Sequence, residues 1–386
     1  MVVGAGVVGA AIAFYLAKSG AKVTLVDRDA PGGRTSRVSF GWINALGKRP
    51  EHYHRLSRLG VDAYTQLEED LGPGSGIGHG GGLHWPSPDD AGRSEMASLV
   101  RDLEEFNYPY SLLTSQEAAE LEPNVRVDGV DDGILYAPIE RWADGDLLAG
   151  ALAKQAVEYG ASLASPVSVR ELVTDGSRVT GVATSDGFLS AGTVVVAAGT
   201  ASVGLLAPLG YQLPLGRVVG ILGVVSAPVG TVSRVLYPGK YHLRPTNDGR
   251  VAIGCRDMDD LVDEDTDTSS PPSWMNQLLD MARRDCPALG GGQIEELRVG
   301  ARPMPADGLP IVGPVPGVQG AYVAAMHSGV SLAAIVGQTL AGEIISGGVS
   351  PVLERYRPDR FSGSADTSAR AWAYRPQILD MVDRRK

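Results

Sequence analysis

The chain opens on a pattern of apolar and small residues that predicts a strand, a tight glycine turn and a helix. Val2 and Val3 form a short apolar run, and the glycines of the turn follow directly. Apolar positions then recur at helical spacing, so we expect one buried helical face, with Gly20 ending the helix. That face consists of Val8, Ala11, Ile12, Tyr15 and Leu16. A second apolar strand, residues 23–26, ends at Asp27.

The later part of the chain alternates between helical and strand patterns. Helical periodicity predicts further helices over residues 51–71, 93–106, 142–159, 273–286 and 331–345. Asp144 is placed to be the N-cap of the third of these. Continuous apolar runs bounded by glycine are typical of buried parallel strands, and they occupy residues 193–199 and 321–325.

Shorter strands, antiparallel in the later group, are predicted before and after the buried run at residues 193–199. Short strands with turn residues fill residues 161–191, and several more fill residues 217–255, where Asn247-Asp248-Gly249 makes a hairpin turn. Because parallel-type strands return near the C-terminus, the nucleotide-binding unit is expected to be discontinuous. The fold class is therefore α/β (α+β mixed), with a Rossmann-like domain and an inserted, mainly antiparallel substrate domain.

Boundaries between these units follow from the same pattern. We expect the nucleotide-binding domain to comprise residues 1–75, 140–212 and 296–350. The substrate-binding domain is expected to comprise residues 76–139 and 213–295. Residues 351–386 form a C-terminal extension, which is polar from Asp359 onward.

The opening turn has the spacing of a dinucleotide-binding fingerprint. Gly4 allows the tight turn, Gly6 admits a pyrophosphate beside the backbone, and Gly9 lets the helix pack closely on the strand. The helix then directs unpaired N–H groups and its positive dipole end at the phosphates. Asp27 can accept hydrogen bonds from a ribose diol and would repel a 2′-phosphate. The fingerprint therefore favours FAD or NAD over NADP.

Composition narrows the class of protein further. The net charge of −11 argues against nucleic acid as a partner, and the absence of a basic tract argues against anionic membranes. Cys255 and Cys286 are too few for a disulfide framework and have no metal-like spacing, so we expect no metal site. The richest apolar stretch, residues 321–345, is interrupted by polar residues, and the chain enters a strand at once. We expect a cytoplasmic protein without a membrane span.

Four segments in this order resemble the D-amino-acid oxidase, glycine oxidase and sarcosine oxidase superfamily of FAD-dependent amine oxidoreductases. They are the fingerprint with Asp27, residues 33–43, the strand ending at Ala198-Gly199, and residues 302–313 followed by residues 327–330. The resemblance implies FAD as cofactor. It also implies C–N oxidation of a small amino or imino acid, with hydride transfer from the α-carbon to flavin N5 and hydrolysis of the imine.

The resemblance assigns the cofactor to positions spread over the whole chain. Val167 matches a position whose backbone contacts adenine, and Gly41 matches a glycine that lets the backbone run close to the flavin ring. The helix after Gly329 is aimed at the flavin edge where negative charge accumulates on reduction. The implied cofactor-binding residues are Gly4, Gly6, Val7, Val8, Gly9, Asp27, Arg28, Arg34, Thr35, Ser36, Arg37, Ser39, Gly41, Trp42, Val167, Ala198, Gly199, Arg302, Gly329, Val330 and Ser331.

Three residues are candidates for contact with the substrate. Arg302 matches the arginine that binds the substrate carboxylate; the alternative is a structural salt bridge between domains. Tyr241 matches a tyrosine whose hydroxyl reaches the same carboxylate, and the alternative is a core or rim aromatic. His327 either assists proton transfer or places the backbone. Arg244 is a second pocket cation or an interface residue, and Trp42 is a pocket wall or a core residue.

Two departures from the family pattern leave questions open. No Cys or His stands in the segments through which sarcosine oxidase-like members attach flavin, so we predict non-covalent FAD. Ala252 stands where those members carry a lysine that accelerates the reaction with oxygen, which leaves O₂ or another electron acceptor open. Two alternatives to a small amino acid remain: oxidation of a larger amine-containing biosynthetic intermediate, or a flavoprotein subunit of a hetero-oligomeric dehydrogenase. An oligomer of this chain is also compatible with the sequence.

Overall fold

The computed structural model describes residues 1–87, 89–127 and 133–362. The expected polar tail, from residue 363 onward, therefore lies outside the described residues. The first part of the C-terminal extension belongs to the fold, since Leu353 and Tyr356 are buried and Tyr356 donates a hydrogen bond to the His52 carbonyl.

The helices follow the predicted periodicity closely. The described α-helices are α1 Val7–Lys18, α2 Glu51–Leu71, α3 Asp90–Glu105, α4 Ser115–Leu121, α5 Gly145–Glu158, α6 Ser202–Leu206, α7 Ser273–Asp285 and α8 Gly329–Ser346. Gly20 follows the C-terminus of α1 with φ +83°, a left-handed conformation that favours glycine. The expected single buried face of α1 is wrong, because α5 and α8 pack on its two sides. Val8 and Tyr15 are only half-buried, while Ala13 and Phe14 are fully buried.

Within the part of the chain that the structure describes, the strands form two main sheets and two small ones. In chain order they are β1 Val2–Val3, β2 Thr24–Val26, β3 Trp42–Ile43, β4 Ile77–Gly78, β5 Gly82–His84, β6 Ser111–Leu113, β7 Ile134–Ala137, β8 Arg141–Ala143, β9 Ser162–Ala164, β10 Val169–Asp175, β11 Arg178–Thr184, β12 Gly187–Ser190, β13 Val194–Val196, β14 Leu215–Val225, β15 Val235–Tyr237, β16 His242–Pro245, β17 Val251–Gly254, β18 Ile294–Pro305, β19 Ile311–Pro314 and β20 Ala321–Ala325.

The first main sheet is the discontinuous nucleotide-binding unit. Its order is β19-β20-β13-β1-β2-β9, with parallel pairing except at the β19 edge. Helices α1, α5 and α8 cover one face, and the sheet β10-β11-β12 with α6 packs on the other. The buried runs at both ends of the chain therefore meet as neighbours in one sheet, which confirms the predicted fold class.

The second main sheet has the order β18-β14-β17-β16-β15-β5-β7-β6 and is antiparallel except for the β15–β5 pair. Helix α7 buries its apolar side on one face of this sheet. The other face meets residues 35–42, where Thr35 donates a hydrogen bond to the Ala301 carbonyl at 2.8 Å. β18 pairs with β14 along its length, so the predicted boundary at residue 296 is wrong: residues 296–305 belong to this sheet. The other boundaries stay predictions.

Candidate active site

The glycines of the opening turn fall into two groups. A Cβ on Gly4, where φ is +103°, would lie 2.5 Å from the Ala197 carbonyl oxygen, and one on Gly9 would lie 1.9 Å from the Gly4 carbonyl oxygen. Both glycines are therefore required by the packing of the protein itself. A Cβ on Gly6 would have only the Ser36 hydroxyl within 4 Å, at 3.3 Å. Gly6 thus borders open space, as a residue that cradles a pyrophosphate must.

The N-terminus of α1 opens onto the same space. Gly6 is the N-cap and has no side chain of its own to cap the helix. The Val7 N–H donates to the Ser36 hydroxyl at 3.0 Å, and Val8 and Gly9 follow in the first turn. Unpaired N–H groups at a helix start favour an anion. The residues present therefore fit the diphosphate of a dinucleotide.

The acidic residue at the end of β2 is held by backbone. Asp27 accepts hydrogen bonds from the Ala5 N–H at 2.5 Å and the Asp29 N–H at 2.9 Å. Its carbonyl oxygen accepts from the Val167 N–H at 2.7 Å, so the adenine-contacting position and the ribose-contacting position are fixed to each other. The role of each toward a nucleotide stays a prediction.

The arginines near the fingerprint have partners outside the cradle. Exposed Arg34 pairs with Asp29 at 2.5 Å, and exposed Arg28 lies 3.7 Å from the same carboxylate. Arg37 pairs with Glu296 at 2.7 Å across the two sheets. Their predicted contact with the cofactor stays a prediction, since each already has a carboxylate partner.

The segment from Ser39 to Trp42 runs along the antiparallel sheet. Gly41 has φ +72°, and a Cβ there would lie 1.9 Å from the Ala143 carbonyl oxygen, so contact with β8 already requires glycine at this position. The Ser39 hydroxyl accepts a hydrogen bond from the Gly41 N–H at 3.1 Å. Trp42 is half-buried, and its indole N–H donates to buried Glu140 at 2.7 Å.

The N-terminus of α8 lies beside that of α1. A Cβ on Gly329 would lie 3.1 Å from a Val8 methyl carbon, so the two helix starts converge on one region. Ser331 donates a hydrogen bond to the Trp42 carbonyl at 2.8 Å, and the Val330 carbonyl accepts one from Tyr64. These contacts join Gly329, Val330 and Ser331 to the fingerprint and to the 39–42 segment. Ala198 and Gly199 follow β13, which adjoins β1.

A lysine that the sequence pattern did not single out completes this corner. Lys48 donates to the Ser328 hydroxyl at 3.0 Å, and Tyr53 donates to the same oxygen at 2.9 Å. Burial, with a smaller contribution from Arg256, lowers the pKa of Lys48 to about 8. His327 Nδ1 lies 3.5 Å from the Ser328 hydroxyl. Only its position just after β3 and before α2 could have indicated a role for Lys48.

His327 is a neutral group among cations. Burial first, and then the charges of Lys48, Arg256 and Arg302, hold its pKa well below its usual value. These three cations come from different parts of the chain, and each lies close enough to affect the same buried imidazole. A neutral imidazole there can accept a hydrogen bond but is a weak base, and the role of His327 in proton transfer stays a prediction.

Arg302 reaches this space but already has a counter-ion. Its guanidinium forms an ion pair with Asp259, and its Nη2 also lies 3.4 Å from the Val219 carbonyl oxygen. Its buried Nε has no hydrogen-bond partner among the described residues. Arg302 is therefore in a salt bridge, as the alternative reading allowed, although its partner lies in the same domain.

The prediction for Tyr241 is wrong in this structure. Its side chain is buried on the α7 side of the sheet, where the hydroxyl donates to Asp285. Successive strand residues face opposite sides, so its neighbour His242 faces the 35–42 segment instead. The His242 ring lies 4.1 Å from that of Phe40, and burial, then Arg256, Arg302 and Arg244, lower the pKa of His242 to about 3.

Arg244 is an interface residue. It is fully buried and forms an ion pair with Asp144 at 2.8 Å, while its Nε donates to the Phe40 carbonyl. Asp144 precedes α5 as expected but does not cap it with its side chain. Burial alone would raise the pKa of Asp144, but Arg244 and hydrogen bonds from Asn247 outweigh it, so the pKa lies below its usual value.

Within the described residues no group of His, Cys, Asp and Glu is arranged to hold a metal ion. One described helix, α8, is long and apolar enough to cross a membrane by length and composition alone, and more than half of it is buried in the fold.

A glycine cradle on a parallel sheet, two converging helix N-termini and a facing antiparallel sheet are together typical of a flavin-dependent oxidoreductase. The chain belongs to the FAD dependent oxidoreductase family, whose profile matches residues 1–343. FAD is therefore its cofactor, and the protein is an enzyme.

Relatives and solved structures agree with this assignment. The chain is 30% identical over 335 residues to glycine oxidase from Pseudomonas aeruginosa, covering 85% of this chain and 88% of that one. Its fold is similar to glycine oxidase from Geobacillus kaustophilus, with TM-score 0.81, 25% identity and coverage of 93% and 97%. It is also similar to iminodiacetate oxidase from Chelativorans sp. BNC1, with TM-score 0.75, 27% identity and coverage of 92% and 98%.

Proposed function

We propose that the protein oxidises the C–N bond of a small amino or imino acid, with non-covalently held FAD. FAD, when bound, accepts the hydride that leaves the α-carbon, and water hydrolyses the resulting imine. The electrons pass finally to O₂ or to another two-electron acceptor. Relatives named glycine oxidase and iminodiacetate oxidase act on substrates of this class, which supports the proposal.

The observation that carries the proposal is the cationic space between the two sheets. Lys48, Arg256 and Arg302 act together on His327, beside the N-termini of α1 and α8. Such a space attracts a carboxylate. It also favours the neutral form of the substrate amine, because nearby positive charge disfavours an ammonium group. The neutral amine is the form from which hydride can leave.

An anaerobic titration of the holoenzyme tests this function. Glycine, sarcosine, proline and a panel of D-amino acids are added separately, and flavin absorbance near about 450 nm is followed. We expect at least one of them to bleach the flavin, and the corresponding amide without a carboxylate to do so far less well. If none bleaches it while a larger amine does, the small amino acid is wrong as the substrate class.

A further inference from the structure

We propose that Arg256 binds the substrate carboxylate, and that Arg302 acts as a positioning residue for the segment that carries Arg256. This rests on the proposed function only in that the ligand is a carboxylate. It departs from the sequence expectation, in which Arg302 makes that contact.

Arg302 and Arg256 differ in whether a carboxylate already neutralises their charge. The Arg302 guanidinium is neutralised by Asp259, whose other oxygen lies 3.4 Å from the Ile221 N–H on β14. Arg256, in contrast, has no carboxylate oxygen within 4.0 Å of its nitrogens among residues 1–87, 89–127 and 133–362. The charges of both arginines act on His242 and His327, so a substrate anion near these rings meets one paired and one unpaired guanidinium.

Arg256 lies just beyond the end of β17. β17 ends at Gly254, which pairs with His242 on β16. A Cβ on Gly254 would lie 2.6 Å from His242 Nε2, so the imidazole covers this end of the strand. Arg256 comes two residues later and begins the short 3-10 segment Arg256–Leu261. Arg256 therefore follows the strand end that the imidazole covers, and its side chain is exposed.

The charge of Arg256 affects the pKa of groups from several parts of the chain. Besides His242 and His327, it acts on Lys48 and Tyr53, which flank Ser328 at the start of α8. These groups come from the antiparallel sheet, the 44–53 stretch and the β20–α8 connection. An exposed arginine on an unrelated surface would not reach all of them. A carboxylate held by Arg256 lies between the sheet and the helix N-termini, where the reaction takes place.

The ion pair between Arg302 and Asp259 holds the segment that carries Arg256. Asp259 and Arg256 belong to the same 3-10 segment, and Asp259 ties that segment to Arg302 on β18. The pair therefore fixes the position of Arg256 instead of competing with it. This gives opposite predictions for Asp259→Asn. If Arg256 is the ligand, loosening the segment weakens carboxylate binding; if Arg302 is the ligand, releasing it strengthens binding.

The test measures binding without oxidation. Propionate, and propionamide as its neutral isostere, are titrated into FAD-loaded protein while the visible spectrum of the bound flavin is recorded. Arg256→Gln is compared with Arg256→Lys and with Arg284→Gln, which removes an exposed arginine from α7 on the opposite face of the sheet. Flavin content and far-UV circular dichroism check that each variant is folded.

We expect Arg256→Gln to raise the Kd of propionate roughly tenfold or more, since it removes charge-assisted hydrogen bonds. Arg256→Lys should recover part of the affinity, and Arg284→Gln should bind as the parent does. The Kd of propionamide should not change. With an oxidised substrate, KM should rise while kcat changes much less.

Three results would overturn the inference: parental affinity for propionate in Arg256→Gln, tighter binding in Asp259→Asn, or equal losses for propionate and propionamide. Failure of the proposed function is separate from these. If no amine bleaches the flavin but propionate binding depends on Arg256, the carboxylate site stands and the oxidation assigned to it does not.

Discussion

The cofactor cradle makes a strong prediction because its glycines differ in what surrounds them. At Gly6, a new Cβ meets only the Ser36 hydroxyl at 3.3 Å, and the backbone angles, φ −65° and ψ 172°, suit alanine. Gly6→Ala should therefore change the free energy of unfolding of the FAD-free protein by about 1 kcal/mol or less. The added methyl lies where the diphosphate approaches the backbone, so FAD affinity should fall at least roughly tenfold.

Gly9→Ala is the matched control. Its Cβ would lie 1.9 Å from the Gly4 carbonyl oxygen and 3.2 Å from the Ala197 Cβ, and neither the backbone nor this short side chain can move aside easily. We expect a loss of about 2 kcal/mol or more from the free energy of unfolding, with or without cofactor.

The two variants are compared by urea unfolding of FAD-free protein and by flavin fluorescence on reconstitution. The reasoning requires that Gly6→Ala be stable but poorly loaded, and that Gly9→Ala be unstable. Parental FAD affinity in a folded Gly6→Ala protein would show that the space beside Gly6 is not the diphosphate site. Severe instability of Gly6→Ala would show instead that this glycine is structural.

Two further predictions concern stability. Asp144→Asn leaves the buried Arg244 charge without its partner and should lower the free energy of unfolding by about 3 kcal/mol in urea titrations; a change below about 1 kcal/mol would contradict this. His242 has a folded pKa of about 3, below the usual 6.5, because of burial and the charges of Arg256, Arg302 and Arg244, so the unfolded chain takes up its proton first as pH falls. The FAD-free protein should therefore lose about 2 kcal/mol between pH 7 and pH 5 through this residue, and His242→Asn should lose less; equal pH dependence in both proteins would refute the assignment.

Local patterns predicted the longer helices and the glycine turn between β1 and α1 well. The bounds of α2 match the predicted helix because its apolar period and the Gly72 stop are both local signals. The parallel runs likewise met in one sheet, since continuous apolar strands must be covered on both faces. The buried sides of α1 were not predictable in the same way, because they depend on α5 and α8, which are distant in sequence.

The candidate substrate-binding residues were harder to predict. Their positions depend on which face of a strand each side chain occupies and on partners that are distant in sequence. Tyr241 and His242 are adjacent, and only the pairing register decides which of them faces the site. The counter-ion of Arg302 lies 43 residues earlier in the chain, in a stretch whose pattern indicated only an acidic loop. Lys48 lies in a connection without periodicity, so nothing local indicated that it reaches the start of α8.

The pairing register of β16 also explains why the proposed carboxylate ligand is a residue outside any strand. Along β16, His242 and Arg244 face the 35–42 segment, where Arg244 is committed to Asp144 and His242 is neutral. The cation within this strand is thus buried in an ion pair with the residue that precedes α5. Arg256 stands just beyond the end of β17, where the alternation no longer applies and solvent reaches the side chain. An arginine placed there can keep its charge unpaired until an anion enters, which a residue in the middle of the sheet could do only at a large desolvation penalty.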